Sequence, residues 1–280
     1  MWEGIMKQFK ALLIKEWHTH KFVFLVPSLV LAVSFLLLSL ISIYARIRYG
    51  VLPEINAGAT GEISLIVVLR NLHYLVSVIA GGFVVLVSVQ LTEHLLNQDY
   101  IKKCEIMHHS QPVSLVKILV AKYVFSVPLM LVQFLVLAIV SSLILSTVAA
   151  FIGYNTWGLG LAAVLSPSLL IFISMMTFSS LMWLFSCTFR KQAAWKLILS
   201  LLIIDLLRLW LSHWGAVDLF SPLAYYKAAL FLPFSILSIQ GAEFSFILEN
   251  AFSQQNLIRL GVSVLMYMAG YFFYKRRELS

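Results

Sequence analysis

The feature that most constrains the fold is a run of 67 residues, Tyr123 to Phe189, without a single Asp, Glu, Lys or Arg. As one straight helix this run would measure roughly 100 Å, about three times the hydrocarbon thickness of a bilayer. It must therefore fold back on itself. Residues 153–158 (Gly-Tyr-Asn-Thr-Trp-Gly) are typical of a turn at a membrane interface. The run predicts two membrane-spanning helices, about Tyr123–Ala149 and Leu159–Ser186.

The composition extends this interpretation to the whole chain. It is 61% apolar and 11% charged, whereas soluble domains are about 45–50% apolar and about 25% charged. A free water-soluble enzyme is thereby excluded as the default. Because lipid forces every backbone group into internal hydrogen bonds, the apolar runs should be helices. We expect an all-α, polytopic integral membrane protein with six transmembrane helices in a single domain, residues 1–280. The other four predicted spans are Phe22–Tyr44, Leu72–Thr92, Leu197–Trp214 and Leu257–Tyr274.

The distribution of basic residues predicts the orientation. With six spans, both termini share one side, and that side would hold fourteen of the twenty Lys and Arg residues against five on the other. By the positive-inside rule both termini are cytoplasmic. The first apolar run is too long for the h-region of a cleavable signal peptide. Cys104 and Cys187 would both face the reducing side, so no disulfide is expected.

Two segments outside the spans have helical patterns. Within residues 1–20, Trp2–Trp17 has apolar residues at i, i+3, i+4 spacing and lysines mostly off that stripe, which predicts an amphipathic helix at the membrane interface or packed on the bundle. The loop at residues 93–117 is longer than a simple connector needs. Its residues around Cys104 can form a short helix that Pro112 ends. This loop is either a docking element or a solvated connector.

The segment at residues 215–256 is predicted to lie on the outer side. Its uncharged part, Ala228–Ala242, is too short to span a membrane and contains Pro233 and Gly241. We expect a broken, re-entrant helix that dips into the outer leaflet or lies along it.

Motifs for catalysis are missing from the sequence. No G-x-x-x-x-G-K-[ST] run is present, so any ATP-driven work would need a separate subunit. Cys104 and His108 could converge on a helix, but two ligands do not make a closed zinc site. No Gly-x-Ser-x-Gly elbow occurs either. We therefore expect no catalytic residue, no metal site and no enzymatic activity of the chain's own.

Asp205 and Arg208 form the only clear ionisable pair inside a predicted span. At i, i+3 spacing they share one helix face and can neutralise each other. Intramembrane charges are candidates for function, so the pair could lie on a gating or substrate path. It could equally be a structural pair that anchors the helix to a neighbour.

The loop carries a recognisable pattern that starts at Asp99-Tyr100, ends at Ser110-Gln111-Pro112-Val113-Ser114, and is followed by Lys117 and Lys122. It resembles the E-R-x-x-G-T-x-x-x-L-x-x-x-P-V-S pattern in permease subunits of type-two ABC exporters. Asp99 replaces the usual Glu, Tyr100 the usual Arg, and Lys103-Cys104 the usual Gly-Thr. The family typically has six spans, cytoplasmic termini, an amphipathic N-terminal helix and a coupling helix between its second and third spans.

The resemblance implies a mechanism and partners. Two permease subunits, identical or different, would pair in the plasma (inner) membrane of a bacterium, and each would contact an ATP-binding cassette subunit through the Asp99–His109 helix. The partner subunit would bind ATP and Mg, so the chain itself needs no cofactor. Membrane lipids surround the spans, and no nucleic-acid partner is expected. The implied partner-binding residues are Asp99, Lys102, Lys103, Glu105, Met107, Ser110 and Pro112.

Spans rich in Leu, Phe, Val and Ser favour an amphipathic or hydrophobic substrate such as a lipid, a peptide or a drug. Two other functions remain open. A lipid-modifying membrane enzyme would need a polar catalytic cluster at one depth, and none is evident. A non-transporting membrane anchor or assembly factor would use the same cytoplasmic loop to recruit a cytosolic partner.

Overall fold

The computed structural model describes residues 6–23, 61–101, 114–151, 155–189, 192–213, 221–232 and 251–279, with single positions at 26, 29, 33 and 249. The elements in these ranges are helices, and no strand occurs there. Most of the predicted first span, most of the loop between the second and third spans, and most of the predicted re-entrant segment lie outside the described residues.

The helices are numbered in chain order within the described ranges. We number them α1 (residues 6–23), α2 (Gly61–Ile101), α3 (Leu115–Ser126), α4 (Pro128–Phe151), α5 (Trp157–Thr188), α6 (Ala193–His213), α7 (Pro222–Leu230) and α8 (Gln254–Leu279).

Among the described residues, four helical stretches are long and apolar enough to cross a membrane, which indicates a multi-pass membrane protein. They are Arg70–Asn97, Leu115–Ala150, Trp157–Thr188 and Gln254–Arg276. Each contains one of the predicted spans. The predicted fifth span lies in α6, which is helical but is interrupted by Lys196, Asp205 and Arg208 and is not one of the four. The count of six spans stays a prediction.

Helix α5 is at the centre of the bundle. It packs against α2, α4 and α8, and buried apolar side chains such as Phe134, Ile171 and Met175 fill the space between these helices. Gly81 of α2 lies so close to α5 that a Cβ atom there would overlap the Ile171 side chain. Close packing of this kind holds membrane helices together where no hydrophobic effect acts between them.

The membrane-crossing stretch Leu115–Ala150 is broken at Val127, between α3 and α4. Pro128 has no backbone N–H to donate, which interrupts the helical ladder. Hydroxyl groups supply polar contacts at the break: Ser88 Oγ donates to the Ser126 carbonyl at 2.6 Å and lies 2.9 Å from Ser179 Oγ. Because no water is present in the hydrocarbon core, such contacts stabilise a helix break there.

We call one end of the bundle the basal end. It consists of α1, the C-terminal parts of α2, α5 and α8, and the start of α3. Leu12 packs there against Ile118 and Ala121, and Lys117 Nζ donates to Gln8 Oε1 at 2.9 Å. The opposite, distal end holds the connection between α4 and α5, the start of α8, and α7.

Helix α1 lies against the bundle with one face. Leu12, Glu16 and His20 are buried, whereas Met6, Ile14 and Trp17 are exposed. The predicted N-terminal helix is thus helical over its described residues and continues to residue 23. The apolar residues of α1 do not all face the bundle. Leu12 packs on the bundle, whereas Met6 and Trp17 are exposed.

Candidate functional site

A buried polar junction joins α1 to the basal end. Glu16 and His20 of α1 are almost fully buried, with Glu16 Oε2 at 3.5 Å from His20 Nε2. The His20 ring packs edge-on against His94 of α2, with centroids 5.2 Å apart, and tilts against Phe125 of α3 at 6.2 Å. One histidine therefore contacts two different helices, which gives α1 a defined position on the bundle.

A second contact ties α2 to α3. Lys122 is 1% exposed, and its ammonium group donates a hydrogen bond to the Leu95 carbonyl in α2. A buried charge is costly unless it is hydrogen-bonded, so this contact restrains both helices strongly. Leu95 precedes residues 102–113 and Lys122 follows them. The two helices that flank the predicted coupling loop are therefore bound to each other just beside it.

The start of α6 is linked to the same end. Glu93 Oε1 accepts a hydrogen bond at 3.2 Å from the backbone N–H of Ala194, in the first turn of α6. The first N–H groups of a helix have no partner within the helix, and a carboxylate there also interacts favourably with the helix dipole. Glu93 thus couples α2 to α6.

The predicted partner-binding residues fall beside this junction in the sequence. Asp99 belongs to the last turn of α2, two residues before its end at Ile101. The other predicted partner-binding residues lie outside the described part of the chain: Lys102, Lys103, Glu105, Met107, Ser110 and Pro112. Of this region, the structure therefore describes the two helices that flank the loop.

Asp205 and Arg208 are in contact, and the pair has an additional partner. Arg208 Nε lies 3.5 Å from Asp205 Oδ1, with both side chains partly buried. Ser221 Oγ donates to the same Asp205 oxygen at 2.6 Å and accepts from the Ala224 N–H at 3.0 Å. Ser221 is the N-cap of α7, followed by proline at the first helical position, which is a common helix start. Asp205 therefore holds α6 against the start of α7.

Helix α7 lies within the predicted re-entrant segment and packs on the bundle. Tyr226 and Ala229 are buried, and Ser174 of α5 donates to the Ala229 carbonyl at 2.7 Å. The nine-residue helix is too short to cross a bilayer. Its re-entrant position in a membrane stays a prediction.

Arg259 lies near the start of α8, and its side chain is only 7% exposed. Its guanidinium group donates to Asn256 Oδ1 and lies 5.5 Å from the centre of the Tyr225 ring. A polar amide and an aromatic face inside the protein thus replace water as its surroundings.

Sequence reasoning missed a groove between α3, α5 and α8. Its volume is about 550 Å³. The hydroxyl group of Tyr123 contacts Met176 Sδ at 3.2 Å, and the Tyr267 ring packs against Tyr123 at 5.0 Å and Trp183 at 5.5 Å. The lining residues are Val116, Leu119, Val120, Tyr123, Met176, Trp183, Val264, Tyr267, Met268, Tyr271 and Phe272. The i, i+4 repeats Tyr267–Tyr271 and Met268–Phe272 were the available signal.

No group of three His, Cys, Asp or Glu side chains in the described ranges is placed to hold a metal ion. Comparisons with family models, with curated proteins and with solved structures found no match to this chain.

Proposed function

We propose that the chain is the membrane-spanning permease subunit of a bacterial ABC exporter. It would move an amphipathic or hydrophobic substrate outward, with ATP hydrolysed by a separate ATP-binding cassette subunit. The observation that carries the proposal is the buried contact between Lys122 and the Leu95 carbonyl. It binds together the two helices between which residues 102–113 are inserted, so a partner that pushes on this loop would move both helices as one body.

The neighbouring contacts would spread such a push through the bundle. Lys117 is hydrogen-bonded to Gln8 of α1, and Glu93 is hydrogen-bonded to the start of α6. The two helices that flank the loop, α2 and α3, are therefore linked by polar contacts to each other, to α1 and to α6. A nucleotide-dependent two-state change in the partner could bias the arrangement of these helices.

The basic residues support the proposed orientation. The basal end includes Lys7, Lys10 and Lys15 of α1 and Lys275 and Arg276 of α8. Because cytoplasmic segments of membrane proteins are enriched in Lys and Arg, we assign this end and both termini to the cytoplasm of the inner membrane. An ATP-binding subunit would then have access to the loop. A second permease subunit, identical or different, would complete the transporter.

Charge reversal in the loop tests the proposal. We expect the double variant Lys102→Glu/Lys103→Glu to lose most of the coupling between ATP hydrolysis and transport, while the chain still inserts and folds. The measurement is the ATPase activity of the purified complex in lipid, compared with the wild type. Lys227→Glu is the matched control, since Lys227 is an exposed lysine of α7 at the distal end.

This experiment also distinguishes the exporter subunit from a non-transporting membrane anchor. If the partner binds and the loop variant alters neither binding nor ATPase activity, the docking assignment is wrong. If the loop variant abolishes binding of a partner that has no ATPase activity, the chain acts as a non-transporting anchor instead.

A further inference from the structure

The groove between α3, α5 and α8 is an unassigned feature of the bundle. Its size lies within the range of small-molecule sites, and its lining is apolar and aromatic. We propose that this groove binds an acyl chain of an anionic phospholipid, whose headgroup phosphate contacts Lys275 and Arg276. This inference does not depend on the proposed transport function.

The register of α8 places cations at one end of the groove. Val264, Met268 and Tyr271 line the groove at steps of three and four residues, which puts them on one helix face. The next position on that face is Lys275, four residues after Tyr271, and Arg276 follows Phe272 at the same interval. Both basic side chains are exposed. The acyl chain of a lipid would therefore contact the apolar groove, and its headgroup would contact the basic residues that follow at the end of the groove.

The length of the groove fits one leaflet. From Val264 to Phe272 the groove extends about 12 Å along α8 at 1.5 Å per residue. Half of the hydrocarbon core is about 15 Å thick. Lys275 follows one turn later, at the level where a phosphate group would lie. A ligand that crossed the whole bilayer would need a groove twice as long.

The charge of the basal end favours an anionic headgroup. The segment at positions 275–278 reads Lys-Arg-Arg-Glu and carries a net charge of +2. None of the residues that line the groove is acidic. Basic residues at a membrane surface attract anionic lipids, and the attraction falls off within a Debye length.

Lipid binding can be measured on the purified full-length protein by native mass spectrometry. The detergent-solubilised chain is titrated with dioleoylphosphatidylglycerol or with dioleoylphosphatidylcholine. We expect tighter binding of phosphatidylglycerol. Lys275→Gln and Arg276→Gln should each weaken phosphatidylglycerol binding about fivefold and leave phosphatidylcholine binding unchanged. The matched charge control is Lys227→Gln in α7, which should change neither affinity.

A second variant tests the groove itself. Val120→Trp would fill it, because Val120 is an exposed side chain of its lining. It should reduce the binding of both lipids, whereas Leu202→Trp on the exposed face of α6 should not. Equal affinity for the two lipids in the wild type would overturn the headgroup assignment. Undiminished lipid binding by a folded Val120→Trp variant would overturn the groove assignment. A change from dimer to monomer in that variant, without loss of lipid, would identify the groove as a protein interface and contradict the proposal.

Discussion

Gly270 is the position where one added methyl group should have the largest effect on the packing of α8. A Cβ atom at Gly270 would lie 2.5 Å from Trp183 Cδ1 and 2.9 Å from its Nε1. Both atoms belong to a rigid indole ring that is 3% exposed. The ring cannot move away as the end of a flexible chain could, so Gly270→Ala must shift α8 or rotate the indole.

Gly261 provides the matched control. It lies on the same helix, and a Cβ atom there would meet nothing within 4 Å. Replacing glycine with alanine inside a helix favours folding by up to about 1 kcal/mol at either position. Overpacking costs about 1–3 kcal/mol and applies only at Gly270. The free energy of unfolding should therefore be lower for Gly270→Ala than for Gly261→Ala by about 1–3 kcal/mol.

The assay is reversible unfolding of both variants and the wild type in mixed micelles, followed by Trp fluorescence and by helical circular dichroism. The near-ultraviolet signal of the folded state should also change in Gly270→Ala, because the Trp183 ring is displaced. Equal stability of the two alanine variants would refute the close approach of α8 to α5 at this position.

Three further substitutions test individual polar contacts. Lys122→Met should lower the free energy of unfolding by about 1.5–3 kcal/mol in the same assay, since a charged hydrogen bond is lost. Lys227→Met, at an exposed lysine of α7, should stay within about 0.5 kcal/mol. Ser88→Ala should cost about 0.6–1.7 kcal/mol, as measured for hydrogen bonds between membrane helices, because it removes the donor at the helix break. Ser221→Ala should lower the free energy of unfolding by about 1–2 kcal/mol, because the N-cap of α7 is lost. If the Asp205 pair is structural, this variant should leave ATPase coupling unchanged. If Asp205 lies on a substrate path, the loss of its Ser221 partner should change the coupling as well.

The membrane-crossing stretches were largely predictable, because the length and apolar character of a span are local properties. Helix α4 ends at Phe151 and α5 begins at Trp157, so the break between them falls close to where glycine and asparagine indicated a turn. The boundaries were less accurate. The third span was predicted from Tyr123, whereas the helical stretch begins at Leu115.

That error has a physical cause. Lys117 and Lys122 were assigned to the polar loop because isolated charges avoid apolar surroundings. In the folded chain Lys122 is buried with the Leu95 carbonyl as its partner, and Lys117 reaches Gln8 in α1. Whether a lysine ends a span depends on a partner far away in the sequence, and local composition does not contain that information.

The candidate site was predictable only in part. The i, i+3 spacing of Asp205 and Arg208 correctly predicted their contact. The third member, Ser221, follows Asp205 by 16 residues and is placed there by the chain's return to α6. The junction of Glu16, His20 and His94 likewise depends on how α1 lies across two other helices. Such contacts follow from tertiary packing.

The proposed function requires an ATP-binding cassette subunit to dock on the loop between α2 and α3. The most direct test is affinity purification of the tagged full-length chain from its native membrane, with ATPase activity and subunit stoichiometry measured on the product. We expect an ATP-binding subunit in a fixed ratio to the chain, with the coupling between ATP hydrolysis and transport lost in Lys102→Glu/Lys103→Glu and retained in Lys227→Glu. Purification of the folded chain without any associated ATPase, or unchanged coupling in the loop variant, would contradict this docking.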